Sequence, residues 1–301
     1  RIVFEGQRAV GVEYQHQGRT ITAGAHREVI VTSGAYASPQ MLMLSGIGPA
    51  DHLAEHKIPV VLDAPGVGSN LQDHVSTFIG YRSNHPASFD PQLRLDRLTL
   101  SVIRWALFKT GPAMSIPLAG LAYVRTRPEL DRPDLEMMLG VINPTAQIWF
   151  PGFRKPTGGY FGIRVICLHP ESRGSVRLAS SDPTARPVIR HDYFSREADL
   201  TALRDGIKTA RRMFEVAPLK NMVEDEMFPG VDATSDVAID AFIRQTSSTI
   251  FHPVGTCRMG SDTEAVVDEQ LRVNGTQALR VVDASVMPNV PGGHTNAPTI
   301  M

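Results

Sequence analysis

Cysteine is scarce in this chain of 301 residues, and only Cys167 and Cys257 occur. The two lie far apart and in no metal-binding spacing, so a disulfide framework of the kind found in small secreted domains is disfavoured. The pair suits a reducing compartment, or simply two unpaired thiols in a core. We therefore expect a cytoplasmic protein that is at most peripheral to a membrane.

An excess of charge of either sign is also lacking. Lys and Arg number 30 against 31 Asp and Glu, which gives a formal net charge of −1. A balanced charge offers no electrostatic reason to bind nucleic acid or an anionic membrane surface. No apolar run approaches the ~18 residues needed to span a bilayer. The sequence therefore predicts no nucleic-acid partner and carries no strong membrane signal.

Several motifs of common enzyme classes are missing. No Gly-x-Ser-x-Gly stretch occurs, which disfavours serine hydrolase chemistry, and no zinc spacing is apparent, so no metal site is predicted. The pairs Gly46/Gly48 and Gly66/Gly68 lack the third glycine and the strand-to-helix context of a dinucleotide fingerprint. The chain begins without Met, midway into a strand pattern, and ends just after Pro298, where a helix should start. We interpret it as a fragment cut at both ends.

The composition that remains, 42% hydrophobic and 20% charged, is that of a globular protein with one large or two smaller domains. Near the start, Ala9 to Tyr14 and Arg19 to Ala23 predict a hairpin around a Gly18 turn. Glu28 to Thr32 is typical of a strand buried in a parallel sheet. Ser38 followed by Pro39 predicts the start of a helix that stops at Gly46.

The pattern of predicted helices and strands changes after residue 74. Leu93 to Lys109, Ala198 to Ala217 and Asp236 to Gln245 have helical periodicity. The predicted strands, which favour a mostly antiparallel sheet, are Leu118 to Val124, Asp134 to Val141, Tyr160 to Leu168 and Ser175 to Ala179. Short β runs return at Val266 to Val273 and Leu279 to Asp283. We predict a discontinuous α/β domain of residues 1–74 and 246–301, with an inserted α+β domain of residues 75–245.

Two histidines lie in loops near the end of the chain that contain several Gly and Pro residues. His252 lies in FHPVGTCRMG, and His294 follows the short strand that ends at Asp283. A neutral imidazole can take up a proton near neutral pH, so two of them at one strand end could form a proton-handling pair. The alternative is that both are ordinary loop or core histidines with backbone partners.

Four stretches resemble the glucose–methanol–choline (GMC) oxidoreductases, in order and along nearly the whole chain. They are SGAYASPQMLMLSGIG (33–48), NLQDH (70–74), FHPVGTCRMG (251–260) and the tail from residue 279 to residue 301. The resemblance implies an incomplete Rossmann-like domain that binds FAD, with an inserted substrate domain, in a choline dehydrogenase-like member. It also implies that the N-terminal unit binding the ADP part of FAD is missing, so we expect the fragment alone to be inactive.

The same resemblance implies roles for single residues. His252 matches the catalytic histidine that removes the hydroxyl proton while hydride passes to flavin N5. His294 stands where the family carries a second His or an Asn, and it would share proton uptake and oxyanion stabilisation. The residues implied to contact the cofactor are Val3, Ser33, Gly34, Ala35, Asp283, Ala284, His294, Asn296 and Pro298. Partners would be a small alcohol and an electron acceptor, oxygen or quinone-type.

Two alternatives stay open from the sequence. One is a flavin-bearing lyase of the same fold that acts on cyanohydrins and needs no redox cycle. The other is an inert half-protein that binds no FAD. Tyr123, Trp149, Phe150 and Tyr160 could line a substrate pocket, although aromatic residues are more often core, and the sequence does not reveal which alcohol is used.

Overall fold

The computed structural model describes residues 1–114 and 117–301. The strands in chain order are β1 (Ile2–Glu5), β2 (Arg8–His16), β3 (Arg19–Gly24), β4 (Val29–Val31), β5 (Ile47–Gly48), β6 (Leu62–Asp63), β7 (Val75–Arg82), β8 (Leu118–Val124), β9 (Leu135–Gly140), β10 (Tyr160–Cys167), β11 (Ser175–Arg177), β12 (Val188–Arg190), β13 (Glu226–Phe228), β14 (Ser248–Thr249) and β15 (Leu279–Val281). The α-helices are α1 (Gly34–Leu44), α2 (Ala50–Glu55), α3 (Leu95–Phe108), α4 (Glu197–Phe214), α5 (Asp236–Thr246) and α6 (Asn296–Ile300).

The chain divides into two compact units. Unit 1 contains residues 1–74, 169–197 and 249–301, and unit 2 contains residues 75–168 and 198–248. Within the stretch 75–245 that the sequence assigned to the inserted domain, residues 169–197 thus lie in unit 1. The reason is local pairing: β11 pairs with β12, and the Gly174 and Val176 amides donate to the Leu71 and Gly68 carbonyls of unit 1.

Among its described residues, unit 1 contains four small sheets and an apolar core. The predicted hairpin forms as β2 and β3, and β1 completes a three-stranded antiparallel sheet. β4 pairs in parallel with β15, which joins two segments from opposite ends of the chain, as predicted for a discontinuous α/β unit. The core under these strands includes Val29, Val31, Leu42, Ile47, Leu279 and Val281. Burial of such side chains contributes roughly 1.5–3 kcal/mol each.

Helix α1 begins earlier than the sequence predicted. Its N-cap is Ser33 and its first residue is Gly34, so Pro39 lies inside the helix. A proline has no N–H to donate to the carbonyl four residues earlier, which here is that of Ala35. The Ala35 oxygen instead accepts a 2.6 Å hydrogen bond from the Thr256 hydroxyl. The proline therefore leaves a helix carbonyl available to the 251–260 loop.

Unit 2 is built on a six-stranded sheet, in which β13, β7, β10, β9 and β8 pair antiparallel, and on helices. The sheet order is β13-β7-β10-β9-β8, and β14 also pairs with β7. Helix α4 buries Leu203, Ile207 and Phe214, and its Arg211 pairs with Glu226 of β13 at 2.8 Å. The predicted helix α3 also forms, but none of its residues is buried.

One further expectation was wrong. Val266 to Val273 forms isolated bridges within a turn-rich segment and no strand, because the segment follows the 251–260 loop and pairs only at single residues. Over the described part of the chain, no helix combines the length and the apolarity needed to cross a membrane.

Candidate active site

The carboxyl ends of β4 and β15 meet at one edge of unit 1, and Asp283 joins them. One carboxylate oxygen of Asp283 accepts from the Gly34 amide at 3.0 Å and from the Ser38 hydroxyl at 2.5 Å. The other accepts from the Ser285 amide at 2.8 Å. Ends of parallel strands followed by helix N-termini are the places where α/β folds bind ligands. The negative charge of Asp283 also suits the positive end of α1.

The 251–260 loop packs against this edge and against a second loop. On one side, the Cys257 amide donates to the Ser285 carbonyl at 2.9 Å. On the other, Gln72 and Val254 exchange backbone hydrogen bonds of 3.1 and 2.9 Å, and the Asn70 amide group donates to the Gly255 carbonyl. Residues 70–74 and 250–255, which are about 180 positions apart in sequence, are thus paired along their length. In the sequence, residues 70–74 form a separate motif, and no local pattern predicts this pairing.

The backbone just before His252 is held in an unfavourable conformation. Phe251 has a φ of 65° and an exposed side chain. A bulky residue with positive φ is strained, and such strain persists only where neighbouring contacts impose it. The contacts are three consecutive amide donors: Ile250 to the His74 carbonyl, Phe251 to the Thr249 hydroxyl, and His252 to the Asp73 carboxylate.

The His252 ring lies between two other imidazoles. Its Nδ1 is 2.9 Å from the Nδ1 of His74, which is completely buried. On another side, the His294 ring packs edge-on with a centroid distance of 5.0 Å. Burial, followed by the adjacent His294, lowers the pKa of His252, and Asp73 opposes this shift. His252 is therefore neutral near pH 7 and able to accept a proton.

Asp73 is the centre of a buried polar network behind this ring. Its side chain is fully buried, and it accepts from the His252 amide at 3.0 Å and from the Tyr193 hydroxyl at 2.9 Å. His191 lies 3.8 Å from the same carboxylate, and its other nitrogen contacts the Tyr36 hydroxyl at 3.3 Å. Burial and then the Asp73 charge raise the pKa of Tyr36 to about 12, so it stays a neutral hydrogen-bonding group.

Two sequence profiles, both described as GMC oxidoreductase, match residues 1–76 and 170–301 and together cover more than half of the chain. The chain belongs to the GMC oxidoreductase family. It is 40% identical over its whole length to the "Oxygen-dependent choline dehydrogenase" of Paraburkholderia xenovorans, of which it covers 53%. The chain therefore spans about half the length of the curated relatives it matches.

Two solved structures have the same fold. A formate oxidase from Aspergillus oryzae RIB40, solved to study FAD modification, superposes with a TM-score of 0.89 at 28% identity, covering 99% of this chain and 57% of that one. The pyridoxine 4-oxidase from Mesorbium loti has a TM-score of 0.82 at 29% identity, covering 99% and 54%. This GMC chain thus shares its fold with two solved oxidases, one of which was studied for the modification of its FAD.

The residues predicted to hold FAD in this GMC chain fall into three places. Five lie at the β4/β15 edge: Ser33, Gly34, Ala35, Asp283 and Ala284. Asn296 and Pro298 lie on the exposed helix α6, whose N-cap Thr295 follows His294, while Val3 lies on β1 in the three-stranded sheet. Both Asp283 oxygens already accept from protein donors, which indicates that this carboxylate shapes the edge.

The edge fits a flavin nucleotide in one testable respect. Gly34 has a φ of 84°, and nothing lies within 4 Å of the position where a Cβ would stand. A bare backbone facing open space at a strand-to-helix turn allows the close approach of a cofactor. The first turn of α1 contains no acidic residue, so Asp283 supplies its carboxylate partner from another segment.

The four aromatic residues considered for a substrate pocket are dispersed in unit 2. Tyr160 is buried and its hydroxyl donates to the Ile79 carbonyl, as expected of a core residue. The indole of Trp149 donates to the Asp90 carbonyl. Tyr123 and Phe150 are exposed. Their positions give no argument for a cation-binding cage.

One group of side chains has metal-like spacing, although no metal site was predicted from the sequence. His52, Glu55 and His56 offer ligand atoms within 4.8 Å of one another. The Nε2 of His52, however, accepts from the Leu178 amide at 3.0 Å, and its Nδ1 lies 3.4 Å from Glu55. A neutral imidazole has one lone pair, which the Leu178 amide already uses. The cluster therefore ties α2 to the segment after β11.

Acidification is expected to destabilise unit 1 through its histidines. Burial is the first cause that lowers the pKa of His52, His191 and His252. Their contribution is complete above the unfolded-state pKa of about 6.5 and is lost as pH falls through the folded pKa values. The urea concentration at the unfolding midpoint should decrease as the pH is lowered from about 7.5 to about 5.5. His252→Gln should make this dependence on pH less steep. A midpoint that rises on acidification, or an unchanged slope in the variant, would contradict this assignment.

Proposed function

We propose that the protein containing this chain is an FAD-dependent oxidoreductase that converts an alcohol to an aldehyde or ketone, with His252 as the base. The observation that carries the proposal is the meeting of His252 and His294 beside the β4/β15 edge, with His252 buried enough to be neutral. Membership of the GMC family and the likeness to a formate oxidase studied for its FAD modification support the cofactor and the reaction class.

The chain's own residues would prepare the substrate for oxidation. Hydride leaves a carbinol carbon most easily when the oxygen is losing its proton, so a base must reach that oxygen. His252 takes this proton, and its pKa is already lowered by burial and by His294. When bound, FAD supplies the hydride acceptor, and the protein supplies binding, orientation and electrostatics.

His294 would support the substrate oxygen as its negative charge develops. Its ring stands edge-on to His252 in an exposed loop immediately before α6. A neutral imidazole carries one N–H donor, so His294 can donate a hydrogen bond to the substrate oxygen while His252 accepts its proton. Such a donor stabilises the developing oxyanion.

The Gly34 turn and the residues around Ala284 would hold the flavin nucleotide. The open space at Gly34 lets the cofactor approach the protein backbone, and the amide groups at the start of α1 lie at the same edge. Asp283 would maintain this shape through its bonds to Gly34, Ser38 and Ser285. The roles of Asn296 and Pro298 toward the flavin, and of Val3 toward its adenine, stay predictions.

Anaerobic addition of alcohols to flavin-loaded full-length protein tests the function. A panel of small alcohols that includes choline would be tested. We expect the flavin absorbance to bleach with at least one of them. Comparison of choline with its neutral isostere, in which a tert-butyl group replaces the trimethylammonium group, shows whether charge matters. Reoxidation by oxygen or by a quinone identifies the acceptor. Cyanohydrin cleavage without bleaching would instead identify a lyase.

A further inference from the structure

His74 is a buried histidine in direct contact with His252. It is the last residue before β7, its side chain is fully buried, and its carbonyl accepts from the Ile250 amide. Its ring stands edge-on to that of His252, with a centroid distance of 5.1 Å and the two Nδ1 atoms 2.9 Å apart. At this distance one nitrogen donates and the other accepts.

The direction of this hydrogen bond determines which atom of His252 can act as a base. Nδ1 of His252 is engaged by His74, so only Nε2 is left to receive a substrate proton. Nε2 has a lone pair only if the proton of neutral His252 is on Nδ1. The Nδ1–H group must then donate to the Nδ1 lone pair of His74. A hydrogen bond to one ring nitrogen commonly sets the tautomer at the other.

We propose that His74 is a positioning residue that holds His252 in its Nδ1–H tautomer and so presents Nε2 as the proton acceptor. Asp73 supports this geometry through the backbone, because its carboxylate accepts from the His252 amide. When Nε2 takes up a proton, the Nδ1–H donor belongs to an imidazolium, and its bond to His74 becomes charge-assisted and stronger. The inference rests on the proposed role of His252 but concerns an atom that can be observed without flavin.

The charged and titratable groups around His252 come from three segments. His74 and Asp73 lie on the 70–74 loop, His294 on the final loop, and Tyr193 and His191 approach through Asp73. Among these groups, and within the part of the chain that the structure describes, His74 is the one at hydrogen-bond distance from a ring nitrogen of His252. A change at His74 should therefore alter the His252 tautomer more than changes elsewhere in the network.

Nitrogen-15 NMR of the histidine rings in the full chain tests the proposal. In the unaltered protein near pH 8, we expect His252 to show a protonated Nδ1 and an unprotonated Nε2. His74→Leu should shift His252 toward the Nε2–H tautomer and lower the pH at which it titrates, because the acceptor that stabilises the imidazolium is gone. His74→Asn is the matched control, since its side-chain oxygen can replace the Nδ1 acceptor and should retain the original tautomer.

An Nε2–H tautomer in the unaltered protein overturns the proposal, and so does an unchanged tautomer in a folded His74→Leu variant. If His74→Leu fails to fold, the unaltered protein and His74→Asn still decide it. Failure of the proposed function is a separate result: it would appear as normal flavin reduction in a His252 variant, whatever the tautomer. In flavin-loaded protein, His74→Leu should slow flavin reduction at least tenfold, and His74→Asn should restore most of the rate.

Discussion

Flavin reduction by alcohol is expected to slow by roughly 10²–10⁴-fold when His252 is replaced by alanine, the range typical of losing a positioned general base. The reason is that His252 is the neutral, half-buried imidazole between His74 and His294, and no other described group has the same contacts with both. The measurement is the anaerobic rate constant for flavin bleaching after rapid mixing of alcohol with flavin-loaded full-length protein.

Two further variants make this result specific. His294→Asn should cost less than His252→Ala, because an amide still donates a hydrogen bond to a developing oxyanion. His26→Ala changes an exposed histidine of unit 1 that lies between β3 and β4, and it should leave the rate unchanged. A His252→Ala protein that is bleached as fast as the His26→Ala protein would remove His252 from the mechanism.

A methyl group at Gly255 is expected to destabilise the protein by about 2–5 kcal/mol, from backbone strain and overpacking together. Gly255 has a φ of 92°, which an L side chain rarely adopts, and a Cβ there would stand 2.6 Å from the Asn70 carbonyl oxygen and 2.8 Å from its side-chain nitrogen. The loops 70–74 and 250–255 would have to separate. The measurement is the urea midpoint of Gly255→Ala against that of the unaltered chain.

Gly24→Ala is the matched control for this substitution. Gly24 is exposed at the end of β3, and the nearest atom to its Cβ position is the Val10 oxygen at 4.0 Å. Its stability change should stay within about 0.5 kcal/mol. Equal midpoints for the two variants would mean that the paired loops tolerate a side chain at Gly255 and do not fix the position of His252.

Much of the local structure was predictable because it depends on short-range patterns. Helices α3, α4 and α5 follow from apolar periodicity, and the β2–β3 hairpin from its turn. The error at α1 has a tertiary cause. Ser38 and Pro39 carry the local signal of a helix start, but Asp283 binds the amide of Gly34 and the hydroxyl of Ser38, and Thr256 binds the carbonyl that Pro39 leaves free.

The candidate site divides in the same way. The amino-acid sequence alone determined the family and both histidines of the proposed pair, since these lie within motifs whose residues are contiguous. It did not reveal that His74 and Asp73 hold His252, or that residues 169–197 pack with unit 1. Those features depend on contacts between segments as many as 179 positions apart. A local pattern can predict that a polar side chain is buried, but only the folded chain decides which distant group satisfies it.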